Sequence, residues 1–84
     1  MVYGFTRNDI IAEYVERAND LIYKTSDKLE ENEALSDSEF QKLDKKLFNA
    51  LIHFEWYTEQ DVEIYEVEDE YTELEALCYQ LVGD

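Results

Sequence analysis

The sequence predicts an all-α fold, a compact antiparallel bundle of three helices that forms one domain over residues 1–84. Three observations predict it. Apolar residues recur at steps of three and four along three long segments, which is the spacing of one helix face. Two of the segments begin at capping patterns, which mark helix N-termini. The chain has no proline and only two glycines, so no strong breaker interrupts the helices.

The first helix is predicted over residues 7–32. Thr6 precedes it as the N-cap, and Asp9 follows three residues later, in a position like that of a capping box. The predicted apolar face consists of Ile11, Val15, Ala18, Ile22, Thr25 and Leu29, widened by Ile10, Tyr14 and Leu21. A stripe of this breadth is typical of a helix that packs on a globular core.

The second helix is predicted over residues 37–57. Ser36-Asp37-Ser38-Glu39 matches the S-x-x-E capping box, and Leu35 can pack on Phe40 as a hydrophobic staple. The expected core face is Phe40, Leu43, Leu47, Ala50, Leu51 and Phe54. The same spacing turns Lys42, Lys45 and Lys46 outward.

The third helix is predicted over residues 59–82, with Thr58 as its cap and Asp61 three residues on. The second helix could instead bend here without breaking. The apolar seam is Ile64, Val67, Tyr71, Leu74, Cys78 and Leu81, which alternate steps of three and four. A strand over residues 59–70 competes, because polar and β-branched or aromatic residues alternate there. Helix is favoured, since the helical spacing persists for eighteen residues.

The charge of the chain is strongly negative and unevenly distributed. The formal net charge is −15, and all seven basic residues lie at or before Lys46. Ten of the eleven carboxylates that follow Lys46 fall between Glu55 and Glu75, a segment that we call the acidic tract. Direct binding of nucleic acid or of an anionic membrane is disfavoured, because both would be repelled. The expected partner is therefore a basic protein.

On a helix over residues 59–82, five carboxylates of the tract would form one row opposite the apolar seam. They are Glu59, Glu63, Glu66, Glu70 and Glu73, flanked by Asp61, Glu68, Asp69 and Glu75. These nine charges would span roughly 25 Å, or about one per 3 Å of helix axis, whereas duplex DNA has about one per 1.7 Å. Like charges at such spacings destabilise a helix, so the row is a candidate functional feature.

The aromatic residues divide into core and surface candidates. Tyr14, Phe40, Phe48, Phe54 and Tyr71 are expected in the core. Trp56 and Tyr57, with Tyr3, Tyr65 and Tyr79, exceed what three short helices can bury, so some of them are expected to be exposed. Exposed rings beside carboxylates suit a Lys- and Arg-rich surface through cation–π contacts. Packing at the junction of helices two and three is the alternative for Trp56 and Tyr57.

No pattern of residues predicts an enzyme, a cofactor or a specific metal site. There is no nucleophile motif, phosphate-binding glycine loop or EF-hand loop. His53 is expected to be a half-buried structural residue. Cys78 is expected to be a buried small hydrophobe, and a single cysteine without a disulfide partner indicates a reducing cytoplasm. No secretion signal or membrane span is expected from the sequence.

The acidic tract and the tyrosine-rich composition resemble the small acidic inhibitors of phages and mobile elements, including anti-restriction and anti-CRISPR proteins that act as DNA mimics. The resemblance is one of character and covers about a quarter of the chain. It implies a nuclease, or a restriction or CRISPR-Cas complex, whose nucleic-acid channel is lined with Lys and Arg. The partner-binding candidates are Glu55, Trp56, Tyr57, Glu59, Glu63, Tyr65, Glu66, Asp69, Glu70 and Glu73.

Two other functions remain open from the sequence. The chain could be a structural interaction module, either a homodimer joined through the apolar seam or an antitoxin-like partner of one basic protein. It could also bind divalent ions weakly through Glu66 to Glu70. The oligomeric state, monomer or homodimer, is left open.

Overall fold

The computed structural model describes residues 6–82 and contains three helices. They are α1 (Arg7–Glu31), α2 (Asp37–Thr58) and α3 (Ile64–Val82). The helices pack against one another, and residues 6–82 contain no strand. The prediction of an all-α three-helix bundle is confirmed, and the alternative of a strand over residues 59–70 is wrong. Tyr3, one of the candidate surface aromatics, lies outside the described residues.

Both predicted capping boxes are present at the starts of α1 and α2. Thr6 Oγ1 accepts from the Asp9 N–H at 3.1 Å, and the Asp9 carboxylate accepts from the Thr6 N–H at 3.1 Å. Ser36 Oγ accepts from the Glu39 N–H at 3.2 Å, and the Glu39 carboxylate accepts from the Ser36 N–H at 3.1 Å. These bonds satisfy N–H groups that have no partner within the helix, and so fix both helix starts.

The contacts between helices show an antiparallel up-down-up arrangement. Ser26 Oγ of α1 donates to the Asp44 carboxylate of α2 at 2.5 Å, and the Tyr23 and Phe48 rings meet edge to face at 5.4 Å. The direction of α2 is therefore opposite to that of α1. The α3 residue Tyr71 lies 5.6 Å from Tyr14 and 6.2 Å from Phe54, measured between ring centroids.

The core lies along the facing sides of all three helices. Its buried apolar residues are Ile11, Ala18, Ile22, Leu29, Leu47, Leu51, Phe54, Val67, Leu74 and Cys78. Each of them belongs to a predicted apolar face, so the faces of the three helices are confirmed. Thr25 is also buried, and its hydroxyl donates to the Leu21 carbonyl at 2.7 Å, which satisfies the polar group.

The start of the third helix differs from the prediction by five residues. Thr58 is the buried last residue of α2, and its hydroxyl donates to the Glu55 carbonyl at 2.7 Å. It therefore cannot cap α3. The Glu63 N–H instead donates to the Glu66 carboxylate at 2.8 Å, and the Glu63 carbonyl accepts from the Val67 N–H at 3.3 Å. This is half of a capping box, with Glu63 where Ser or Thr usually stands.

The linker of residues 59–63 is held by a residue from the start of the chain. The Arg7 guanidinium donates to the carbonyl of Val62, with Nε at 3.1 Å, and to the carbonyl of Gln60 at 3.4 Å. The Gln60 side chain also donates to the Trp56 carbonyl at 3.3 Å. Arg7 thus joins the beginning of α1 to the beginning of α3, a contact that the sequence did not predict.

Candidate functional site

The acidic tract is divided among three parts of the fold. Glu55 belongs to α2, while Glu59, Asp61 and Glu63 lie in the linker. The six carboxylates on α3 are Glu66, Glu68, Asp69, Glu70, Glu73 and Glu75. The predicted row of five on one helix is therefore wrong, because only Glu66, Glu70 and Glu73 share α3.

The direction in which this row faces also differs from the prediction. Glu66 and Glu70 are half-buried, and Glu70 and Glu73 border a groove against α2. The row lies beside the apolar seam and not opposite it. Residues three and four apart share a helix face, and Glu70 is three residues after Val67 and four before Leu74. The spacing thus contained the signal that could have placed Glu70 at the edge of the core.

The remaining carboxylates of α3 occupy its other sides. Glu68 lies near Tyr14 of α1, and Glu75 lies near Tyr71 on the side that faces α1. Asp69 is exposed. The negative charge of α3 therefore covers both flanks of the helix and extends over its outer surface.

No ion pair within residues 6–82 neutralises the acidic tract. The two salt bridges in this part of the chain join Arg17 to Glu13 and Lys24 to Asp20, both at 2.8 Å and both within α1. Arg7, the base nearest the linker, donates to carbonyl groups. The described bases thus contribute little local compensation for the carboxylates of α3.

Three tyrosines near the acidic tract have a raised pKa, because of burial and of neighbouring carboxylates. Burial and the nearby carboxylates of Glu66 and Glu70 raise the pKa of Tyr57. Burial, followed by the effect of Glu68, raises the pKa of Tyr14. Burial and Glu75 do the same for the pKa of Tyr71. The three pKa shifts have one direction because burial, the larger cause, and a neighbouring negative charge both disfavour the phenolate.

The exposed aromatic residues lie close to the tract in sequence. Trp56, Tyr65 and Tyr79 expose 57%, 64% and 61% of their surface, as expected, while Tyr57 is half-buried. Ile52 and Tyr23 are also exposed, and the sequence analysis did not single them out. The spacing of Ile52 four residues before Trp56 is the signal that could have placed both on one outward stripe.

His53 is exposed, so the expectation of a half-buried structural histidine is wrong. Its ring lies 6.3 Å from that of Tyr57, with an angle of 20° between the planes, and 6.2 Å from that of Trp56. These three aromatic side chains form a continuous group on the last turns of α2. His53 also borders the groove that contains Glu70 and Glu73.

The groove between α2 and α3 combines an apolar floor with an acidic rim, and we call it the acidic groove. Its volume is about 270 Å³. The floor consists of Ala50, Phe54, Leu74 and Leu77, and the rim of His53, Glu70 and Glu73. The groove is open to solvent between α2 and α3.

The described residues were also compared with what a metal site, a reactive thiol or a membrane-spanning helix requires. Within residues 6–82, no three carboxylate, histidine or cysteine side chains come together as a metal site would require. Cys78 is buried, and burial raises the pKa of its thiol. None of the three helices has the length and apolar character that crossing a membrane requires.

Comparisons with protein-family models, with curated proteins and with solved structures each gave no match to this chain.

Proposed function

We propose that the chain is an acidic protein inhibitor that occupies a Lys- and Arg-lined nucleic-acid-binding cleft of a nuclease, or of a restriction or CRISPR-Cas complex, by DNA mimicry. The observation that carries this proposal is the set of α3 carboxylates with which no base of residues 6–82 pairs. A basic cleft would supply the missing positive charges, and its field would attract the acidic tract from a distance.

The density and arrangement of the charges support mimicry of a duplex. Six carboxylates lie between Glu66 and Glu75, a length of roughly 15 Å at about 1.5 Å per residue. This is about one charge per 2.5 Å, against about one per 1.7 Å in duplex DNA. The carboxylates on the two flanks of α3 are separated by roughly 10 Å, the width of a helix. The two phosphate backbones that border a major groove of DNA are separated by a similar distance, roughly 12 Å.

The exposed aromatic side chains would add contacts that depend on shape. Trp56 and Tyr65 are more than half exposed and lie near the ends of α2 and α3 that the linker joins. Their faces can pack on the stems and charged heads of Lys and Arg side chains. These contacts would distinguish a particular basic cleft from basic surfaces in general.

The proposed site of action is the cytoplasm of the host cell, where such complexes act on DNA. The antitoxin-like alternative uses the same acidic surface and differs only in its target. The alternative homodimer has less support, because Val67, Leu74 and Cys78 of its seam are buried in the core of the chain itself.

The experiment that tests the proposal compares two variants of equal charge. The tract variant changes Glu63, Glu66, Glu70 and Glu73 to Gln. The α1 variant changes Asp27 to Asn, and Glu30, Glu31 and Glu33 to Gln; Glu33 lies just after the end of α1, and all four residues are exposed and belong to neither salt bridge. Tagged wild-type protein and both variants are used to capture a partner from the host cell, and the affinity of the captured protein for each is then measured.

We expect the tract variant to lose affinity by at least about a hundredfold, because several charge-assisted contacts disappear together. The α1 variant should lose only a few-fold, through the general field. Equal losses of affinity in the two variants would show that binding depends on net charge and not on the position of the carboxylates. Unchanged affinity in both variants would contradict the proposal, as would a captured partner whose binding surface is not basic.

A further inference from the structure

We propose that the acidic groove receives one arginine side chain of the basic partner, with the stem on the groove floor and the guanidinium between Glu70 and Glu73. This inference rests on the proposed function and specifies which part of α3 binds the partner. The evidence is the combination, in one open groove, of an apolar floor and an acidic rim.

The floor and rim match the two parts of an arginine side chain. Arg carries an apolar three-carbon stem and a charged planar head, and it buries the stem along apolar surfaces when the head finds a partner. Of the floor residues, Phe54 and Leu74 are buried, while Ala50 and Leu77 are half-buried. Glu70 and Glu73 stand above this floor on one edge.

The rim favours arginine over lysine. Glu70 and Glu73 are three residues apart on α3, so their carboxylates are neighbours on the helix surface. A guanidinium has five N–H donors in a fixed plane and can donate to two carboxylates at once, whereas an ammonium is a compact point charge that keeps its water more strongly. The ring of His53 on the opposite edge offers a flat surface that also suits a planar cation.

A second groove in the same molecule provides an internal contrast. It lies between α1 and α3, has a volume of about 190 Å³, and is lined by Leu21, Thr25, Cys78, Tyr79 and Val82 together with Lys24 and Lys28. Its lining is also mainly apolar, but its charged side chains are cationic. A basic side chain should therefore enter the acidic groove and avoid this one.

The test uses a hexa-arginine peptide and a hexa-lysine peptide as probes of the full-length chain. Binding is followed at low salt by nuclear magnetic resonance of the backbone amides, which both locates the peptide and gives its affinity. The rim variant changes Glu70 and Glu73 to Gln. The flank variant changes Glu68 and Glu75 to Gln, and so removes the same charge from the side of α3 that faces α1. Thermal unfolding of each variant verifies that it is folded.

We expect the hexa-arginine peptide to shift amides around Ala50, His53 and Leu77 and to leave those around Lys24 and Lys28 unchanged. The rim variant should bind it about tenfold more weakly, the loss expected for charged hydrogen bonds, and the flank variant at most about threefold more weakly. Ala50→Leu, which fills the floor without a change of charge, should also weaken binding. The hexa-lysine peptide should bind the wild-type chain several-fold less tightly than hexa-arginine.

Two results would overturn the inference, and only the second would also contradict the proposed function. If rim and flank variants lose equal affinity, or the shifts spread evenly over α3, the groove is not the site, while the proposed binding of a basic partner stands. If neither peptide binds the wild-type chain at low salt, the attraction to basic partners fails and the proposed function fails with it.

Discussion

Glu39 at the start of α2 shows how one side chain can fix a helix boundary. Its carboxylate accepts from the Ser36 N–H at 3.1 Å, and its own N–H donates to Ser36 Oγ. The hydrogen bond from the Ser36 backbone, reinforced by the Ser36 side chain, lowers the pKa of Glu39 from its ordinary value of 4.5. The ionised form of Glu39 therefore favours the folded state.

The capping role of Glu39 predicts a pH-dependent contribution to stability. A lowered folded-state pKa means that the contribution is present above pH 4.5 and is lost as the pH falls through the pKa of the folded state. Glu39→Gln should therefore be less stable than wild type at pH 7, and the difference should shrink below pH 4. Urea unfolding of both proteins at each pH measures it. A difference that does not change with pH would contradict this role.

Ser36→Ala provides the companion measurement at the same cap. It removes the side-chain acceptor and should lower the free energy of unfolding by about 1 kcal/mol. Because the serine hydroxyl does not titrate, its own hydrogen bond to the Glu39 N–H persists at low pH. The loss for Ser36→Ala should accordingly remain larger at pH 3 than the loss for Glu39→Gln. The opposite order would show that the carboxylate is not the titrating part of the cap.

Arg7 is expected to stabilise the linker of residues 59–63. Its guanidinium donates to the carbonyls of Gln60 and Val62 and so holds the linker against α1. Arg7→Gln should lower the free energy of unfolding by about 1 kcal/mol, the usual net value of such bonds. Amide hydrogen exchange in residues 59–63 should become faster, while exchange in the centre of α2 should change little. Unchanged exchange in the linker would show that Arg7 does not hold it.

At the scale of elements, the sequence predicted α1 and α2 well because their boundaries are set by neighbouring residues. Ser36 and Glu39 are three residues apart, and their reciprocal bonds need nothing from elsewhere in the chain. The boundary between α2 and α3 is different. Thr58 and Asp61 have the same local pattern, but the fold buries Thr58 at the end of α2. Arg7, more than fifty positions away, then binds the linker, and no local pattern contains that contact.

The sequence predicted which residue types belong to the candidate site, but it did not predict how these residues are arranged in space. The sequence identified the acidic residues and several exposed aromatics, because these depend on residue type and local spacing. The acidic groove needs the α2 residues Ala50 and His53 to lie opposite Glu70 and Glu73 of α3. That pairing is set by how α2 and α3 pack against each other after the linker of residues 59–63, whereas the sequence predicted that the third helix begins at residue 59. The side of α3 that the row faces is a separate matter, because it depends only on the helical period: Glu70 lies three residues after Val67 and four before Leu74, which places the row beside the seam wherever the helix begins.

The like charges of α3 predict a gain in stability when they are removed. Changing Glu66, Glu70 and Glu73 to Gln should raise the free energy of unfolding by about 0.5 kcal/mol, since each like-charge pair costs some tenths of a kcal/mol. Gln at position 66 can still accept from the Glu63 N–H, so the start of α3 should persist. Urea unfolding at low salt measures the change. A clear loss of stability would show that these carboxylates support the fold.

At the scale of the whole molecule, the net charge of −15 lies on an elongated body of about 52 × 24 × 16 Å. Self-repulsion on this scale is screened by salt. The melting temperature should therefore rise by several degrees between 20 mM and 500 mM sodium chloride, since about 1 kcal/mol corresponds to roughly 4–8 °C in a domain of this size. A melting temperature that is constant or falls would mean that repulsion does not limit stability.

Salt should have the opposite effect on the proposed complex with a basic partner. Each carboxylate matched to a Lys or Arg acts through attraction that salt screens, so affinity should fall steeply as the salt concentration rises. The tract variant should show a shallower dependence than wild type, because fewer matched charges remain. Titration calorimetry at several salt concentrations measures both slopes. A complex of wild-type protein that is insensitive to salt would contradict an electrostatic origin.

The proposed occupation of a nucleic-acid-binding cleft is tested most directly by asking whether this chain and nucleic acid exclude each other from the proposed partner. A fluorescently labelled DNA duplex is bound to the captured partner near physiological salt, and the chain is added while fluorescence anisotropy is recorded. We expect complete release of the duplex at about one chain per binding site, and no release by the tract variant at the same concentration. A ternary complex in which the duplex stays bound beside the wild-type chain would contradict occupation of the cleft.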